Sequence, residues 1–202
     1  ARTLSSLMPM PKRFTLNVQD KRRIGELAAA AIPDNTTIFI DSGSTTYNIV
    51  RYLGGKKGLT LVSHSLVALN EASRLKEVNT ISLGGIYNAS IGAFVGLSTF
   101  EAIKTLSVKI AVMAATGVSI RRGLSNTTYF EAEVKRVVTS NCEKIVLMAD
   151  CTKFDKEALI TYCPLERVSV VVTDRMPPPK YMEFFRSKGI DVLCGAPTGK
   201  EP

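Results

Sequence analysis

The chain has 202 residues, 45% of them hydrophobic and 22% charged, the balance of a globular protein and not of a disordered one. No apolar run approaches the ~20 residues a membrane helix needs, and the opening residues show no signal-peptide apolar core, so no membrane partner is expected. Lys and Arg outnumber Asp and Glu by 26 to 18, giving a net charge of +8, yet the cations fall in short clusters such as Lys21-Arg22-Arg23, Lys56-Lys57, Arg121-Arg122 and Lys135-Arg136. No cluster has interleaved aromatics or a helix-turn-helix pattern, so these read as solvated surface that would only assist a DNA-binding partner domain.

Residues 1–17, with Pro9 and Pro11 and no sustained periodicity, are predicted to be an arm or linker. From Asp20 a helical stripe of Ile24, Leu27, Ala28 and Ala31 runs to the turn Pro33-Asp34-Asn35. A strand over Thr37–Ile40 meets a small-residue loop, then a helix carrying Tyr47, Ile49, Val50 and Leu53 and stopped by Gly54-Gly55. Leu59–Ser63 is a second strand, followed by a helix from Ser65 to about Leu75, and Val78–Leu83 is a third strand ending in Gly84-Gly85. A looser stretch holds Tyr87–Ser90, and Phe100, Ile103 and Leu106 mark the next helix. Val108–Ala115 is nearly all apolar, as in a parallel strand covered on both faces. Gly123–Thr128 reads as a second small-residue loop before a helix over Glu131–Ser140. Lys144–Ala149 and Arg167–Thr173 are buried strands ending at Asp150 and Asp174. A helix opening at Pro177-Pro178-Pro179 and a short strand over Ile190–Leu193 complete the pattern. Strands alternating with helices predict an α/β domain over residues 18–195 with a mostly parallel sheet, and 196–202 as a tail.

The loop Asp41-Ser42-Gly43-Ser44-Thr45-Thr46 is the most informative part. One Ser or Thr there could simply cap the helix. Four hydroxyls around a glycine, where backbone N–H groups lack intrahelical partners, instead favour a cradle for a phosphate or carboxylate. In a parallel sheet the loops Ser63-His64-Ser65, Gly84-Gly85, Ala115-Thr116-Gly117 and Asp150-Cys151-Thr152-Lys153 gather on the same edge and would make a polar pocket for a small phosphorylated molecule. Taken alone, Lys153 reads as a surface lysine pairing with Asp150 or Asp155. His64 reads equally as a structural residue or a donor to a sugar hydroxyl. Glu131 and Glu133 ahead of Lys135-Arg136 fit solvated helix charges, and Asp150 and Asp174 fit caps. Cys142, Cys151, Cys163 and Cys194 form no CxxC pair and the single histidine lies far from them, so neither a metal site nor a disulfide framework is expected, only free thiols in a reducing cytoplasm.

The string from Ile38 to Thr46 resembles the signature of the C-terminal effector domain of DeoR-family transcriptional regulators. Ser63-His64-Ser65-Leu66 resembles the next family loop, where Asn is commoner than His. Leu83-Gly84-Gly85, Gly96, Gly117–Leu124, Glu131–Arg136, Leu147–Phe154 and Val171–Asp174 follow in family order and spacing. The resemblance spans about residues 20–193 and implies a fold similar to ribose-5-phosphate isomerase and the coenzyme A transferases, with a small α/β subregion. It implies an effector-binding domain of a cytoplasmic, oligomeric repressor of carbohydrate metabolism (a dimer or tetramer), with no cofactor. By the same resemblance Ser42, Gly43, Ser44, Thr45 and Thr46 would hold the effector's phosphate, and Asp41, His64, Gly85, Glu131 and Lys153 would approach the sugar. Family members carry an N-terminal winged helix-turn-helix that contacts operator DNA. It is missing here, and residues 1–17 would correspond to the linker behind it.

The rival expectation is an active sugar-phosphate isomerase or deaminase on the same scaffold. Isomerisation needs a general base at the substrate carbon. Pentose isomerases carry an acid-rich loop after a central strand, whereas Ile110–Ala115 runs into Thr116-Gly117-Val118-Ser119 without a carboxylate. Only Glu131 remains as a candidate base, so a sensor is favoured over an enzyme. A pure oligomerisation module leaves the hydroxyl-rich loop unexplained.

Overall fold

The computed structural model describes residues 2–4 and 10–195. In chain order the elements are β1 (Arg2–Leu4), α1 (Met10–Thr15), α2 (Val18–Ala30), β2 (Thr37–Ile40), a 3-10 helix (Thr46–Tyr52), β3 (Thr60–Ser63), α3 (Leu66–Ala72), β4 (Asn79–Ser82), β5 (Ile86–Asn88), β6 (Ala93–Val95), α4 (Leu97–Thr105) and β7 (Val108–Met113). They continue with β8 (Gly117–Ser119), β9 (Gly123–Asn126), α5 (Tyr129–Asn141), β10 (Cys142–Met148), β11 (Lys156–Ala158), β12 (Ile160–Cys163), β13 (Val170–Thr173), α6 (Pro179–Lys188) and β14 (Asp191–Cys194).

Seven strands form the main sheet in the order β14-β13-β10-β7-β2-β3-β4, and every neighbouring pair is parallel. The expected mostly parallel α/β architecture is therefore the observed one. Successive strand side chains point to opposite faces, and both faces are covered. Ile38, Ile40, Val112, Val146, Met148 and Val172 pack with Ile24 and Ala28 of α2 and Ile49 of the 3-10 helix. Phe39, Ala111, Met113, Ile145, Leu147 and Val171 pack on the other side with Val134 and Val138 of α5 and Tyr181 and Phe185 of α6. The strand order turns back between β2 and β7, the place where loops diverge and a crevice opens in doubly wound sheets.

Three local expectations are corrected. The predicted arm is partly ordered structure: β1 pairs in parallel with β11, and residues 10–15 are helical. Pro11 hid this helix, although proline is tolerated in a first turn, where its missing N–H would be unpartnered anyway. The predicted helix after the hydroxyl loop is a 3-10 helix, since adjacent β-branched Ile49 and Val50 disfavour the α form and the side chains of Thr46 and Asn48 bond back to carbonyls of residues 41–45. The predicted loop Gly123–Thr128 is mostly strand β9, which joins β8 and β12 in a small antiparallel sheet. These strands are only three or four residues long, too short for a periodic signal to stand out, and they form a small subregion beside the main sheet. Residues 196–202, expected to be a tail, lie outside the described residues.

Candidate functional site

The loop after β2 is held by its own side chains. Thr46 Oγ1 donates to the carbonyls of Asp41 at 2.7 Å and Gly43 at 2.9 Å, and Asn48 Nδ2 donates to those of Ser44 at 3.0 Å and Thr45 at 3.2 Å. The carbonyls of Asp41, Gly43, Ser44 and Thr45 are thus satisfied, while the amides of Gly43, Ser44 and Thr45 donate to no acceptor among the described residues. Consecutive N–H groups without acceptors are the kind of donor set that can hold an anion. Gly43 is required by space: a Cβ there would lie 2.6 Å from the Ala114 Cβ, at the point where the loops after β2 and β7 touch.

Directly behind the loop, Asp41 is fully buried. Its Oδ2 accepts from Lys135 Nζ at 2.5 Å and from the Ala114 amide at 3.1 Å. Lys135 Nζ also donates to the Ala114 carbonyl at 2.6 Å and lies 5.1 Å from the centre of the Tyr162 ring, whose hydroxyl donates to the same carbonyl at 2.9 Å. Burial pushes the Asp41 carboxyl up, but the Lys135 ammonium and the facing His64 outweigh it and hold the group well below the usual carboxylate range. Burial raises the Tyr162 phenol strongly, so it stays protonated as a donor. His64 Nδ1 lies 3.0 Å from the Phe94 carbonyl and donates to it. Nε2 faces Asp41 Oδ1 at 3.9 Å, and both atoms, with the Ser42 hydroxyl, are buried without a hydrogen-bond partner among the described residues. Glu131 is buried in the first turn of α5 and accepts from Thr128 Oγ1 at 2.6 Å.

In front of the loop a cavity of about 310 Å³ opens at the strand-order reversal. Ser44 and Thr45 line it from the β2 loop, Ala114–Thr116 from the β7 loop, and Asp150, Thr152 and Lys153 from the β10 loop. Four cations, Arg13, Lys21, Lys153 and Lys156, face one carboxylate, Asp150. Neither alternative partner takes Lys153: Asp150 Oδ1 accepts from the Thr152 amide at 3.0 Å, and Asp155 pairs with Lys180 at 2.6 Å. Burial lowers the Lys153 ammonium, with Asp150 opposing. Burial likewise pushes Lys21 down to about 8, Asp150 pulling up while Lys153 and Arg13 add to the fall. Of the residues the family resemblance assigns to the effector, Ser44, Thr45 and Lys153 line the cavity, together with Ala115, Thr116, Asp150 and Thr152 of the strand-end loops expected there. Thr46 is buried with its hydroxyl turned to backbone carbonyls, and Asp41, Ser42, His64 and Glu131 lie buried outside the cavity wall. Gly85 belongs to a different contact: at φ +138 its Cβ would meet Thr99 Oγ1 at 2.3 Å and the Val95 carbonyl at 2.7 Å.

Sequence reasoning missed Lys21, Arg13, Lys156 and Lys135. For two of them a signal existed. Lys21 shares the helical stripe of Ile24 and Ala28, and Lys135 that of Glu131 and Val138, so each charge sits on a face otherwise destined for burial.

Residues 16–175 match the family described as the DeoR C terminal sensor domain. The chain is 31% identical over 188 residues to the HTH-type transcriptional regulator IolR of Bacillus subtilis (strain 168), covering 93% of this chain and 75% of that protein. It is 26% identical to the glycerol-3-phosphate regulon repressor of Escherichia coli (strain K12), covering 92% and 74%. To the deoxyribose operon repressor of the same organism it is 27% identical, covering 87% and 70%. Among solved structures, ribose 5-phosphate isomerase A of Methanocaldococcus jannaschii superposes with a TM-score of 0.50 at 19% identity over 68% of this chain and 55% of that one. The delta subunit of translation initiation factor eIF-2B from A. fulgidus gives 0.51 at 15% identity over 88% and 64%. The chain spans about half the length of the isomerase structures it matches, and at these identities the likeness is one of fold. The isomerases share the scaffold while the sequence relatives regulate transcription, and the chain belongs to the DeoR family as an effector-sensing domain of a transcriptional regulator, not as an enzyme.

Proposed function

We propose that the cavity binds a phosphorylated sugar or polyol, and that its occupancy controls a cytoplasmic repressor of carbohydrate metabolism acting on operator DNA through a region outside this chain, as a homo-oligomer. The observation that carries this reading is the pairing of free loop amides at Gly43–Thr45 with four cations facing a single carboxylate. A phosphate ester supplies the missing negative charge and accepts from the amides, from Ser44 and Thr45, and from Lys153. The names of the relatives, a glycerol-3-phosphate regulon repressor and a deoxyribose operon repressor, support a role in the metabolism of sugars and their phosphates. An isomerase is the weaker reading. The wall Ala114–Thr116 has no carboxylate, Asp41 is spent on Lys135 and Glu131 on Thr128, and the one carboxylate on the cavity wall among the described residues, Asp150, holds the turn after β10 by accepting from the Thr152 amide.

A thermal-shift panel of phosphorylated sugars against their unphosphorylated counterparts tests it. A ligand at a hundredfold excess over its Kd adds about 2.7 kcal/mol of stability. Stabilisation by one ester without turnover is the expected result. A flat panel would reduce the loop to a well-tied strand ending, and turnover would restore the enzyme.

A further inference from the structure

The near wall of the cavity is not part of the sheet edge. Arg13, Leu16, Asn17 and Lys21 line it, and these residues belong to α1, its exit and the start of α2. Asn17 takes the left-handed conformation at φ 52, which asparagine tolerates, and there the chain turns from α1 into α2. Two side-chain contacts tie α1 to its surroundings among the described residues. Lys21 Nζ donates to the Arg13 carbonyl, and the Phe14 ring meets Tyr47 edge-on at 5.1 Å between centroids. Arg13 forms no ion pair among the described residues, and its Nη1 is buried with no partner. The same wall thus carries two cations, facing Lys153 and Lys156 across the cavity, with Asp150 as the sole carboxylate among the described residues. Like charges across a gap push apart, and an anion between them reverses the sign.

We propose that α1 is a clasp over the pocket: a phosphate or phosphate monoester seated on Ser44, Thr45 and Lys153 is closed over by Arg13 and Lys21, so that binding pins α1 against the sheet edge. This rests on the reading of the cavity as a phosphate-ester site and adds how occupancy is passed on. Planar guanidinium suits the outer face of a phosphate, since it offers paired N–H donors. Lys21 belongs to the rigid α2, so an anion bound to both cations fixes α1 to α2 and to the β10 loop together. The low proton affinity of Lys21 agrees with an ammonium that waits for a counter-charge. Occupancy is then felt at the N-terminal end of the chain, ahead of α1.

Hydrogen exchange of the whole chain, in saturating inorganic phosphate against chloride at matched ionic strength, tests the clasp. Glycerol 3-phosphate, a small polyol monoester, forms the second arm. Amides of residues 12–17 are expected to slow by roughly tenfold or more, as a closing element should. By calorimetry Arg13→Gln is expected to weaken binding roughly tenfold and to abolish that protection, with Arg13→Lys recovering part of both, in line with loss of one charge-assisted contact. Protection by both probes assigns the seat to a phosphate monoester, and protection by inorganic phosphate alone assigns the same clasp to free phosphate. If Lys153→Gln loses binding while Arg13→Gln binds and protects like the parent, the clasp is wrong and the pocket stands. If neither probe binds the parent, or Lys153→Gln binds unchanged, the pocket reading itself falls and the clasp with it.

Discussion

Two groups of buried cations lie on either side of the hydroxyl-rich loop, and they are treated in opposite ways. Behind it Lys135 is matched: a carboxylate, a carbonyl and an aromatic face take up its charge and donors. In front of it Lys21 and Lys153 are crowded with Arg13 and Lys156 around one shared acid. A charge the fold needs for itself is neutralised within the fold, because an unpaired buried ion costs several kcal/mol. Cations left short of counter-charge in a cavity are better explained by something the molecule takes up. The loop between them is the hinge of this contrast, with its carbonyls tied inward and its amides free.

The sharpest way to break the contrast is to unmatch the matched side. Lys135→Met should destabilise the free protein by about 3–5 kcal/mol, because Asp41 is left as an unpaired buried anion. Urea denaturation measures this, and the double variant Asp41→Leu/Lys135→Met should recover much of the loss, since an apolar pair of similar volume carries no desolvation cost. A single variant as stable as the parent would show that the pair is no keystone. The pH dependence has a definite sign. The Asp41 carboxyl is depressed in the folded state, so its contribution is complete above the ordinary carboxylate range and drains away as pH falls below about 4.

The unmatched side has the opposite sign. Lys21 is lowered to about 8 from 10.5, so between those values the unfolded chain holds the extra proton and stability rises with pH. The parent should therefore gain on Lys21→Met by on the order of 1–3 kcal/mol between pH 7 and 10.5. Parallel stability curves for the two proteins would mean that Lys21 is solvated. A saturating phosphate ester should flatten the parent's curve, because the anion restores the ammonium.

The loop itself sets the next effect. Thr46→Val keeps shape but removes the hydroxyl shared between the carbonyls of Asp41 and Gly43, and a loss of about 1–2 kcal/mol is expected, read by thermal unfolding. An unchanged midpoint would show that the loop holds without it.

The sequence patterns carry the sheet and the loop well, because an apolar run ending at Asp41 and a cluster of hydroxyls are local facts. They carry the division of labour within the loop poorly. Ser44 and Thr46 are equivalent by composition, yet one lines the cavity and the other faces inward, a difference fixed by a 3-10 turn of the backbone. Nor does the local sequence show that Asp41 is paired: its partner Lys135 is far along the chain, brought close only when α5 packs on the sheet. Arg13 was hidden by its setting, since a short helix with proline in its first turn reads as linker until its backbone is seen.

The smallest effect on the free protein discriminates best. Lys153 is half-buried and has no ion pair among the described residues, so Lys153→Gln should leave stability within about 0.5 kcal/mol, or raise it slightly by removing one of several crowded cations. Its effect should appear only with ligand, as loss of most of the stabilisation that a phosphate ester gives the parent. Lys135→Met shows the reverse, a large fall without ligand and, in whatever fraction stays folded, an intact cavity wall. If Lys153→Gln lowered the free protein's midpoint as far as Thr46→Val, Lys153 would be doing structural duty for Asp150, and the cations in front of the loop would be matched after all.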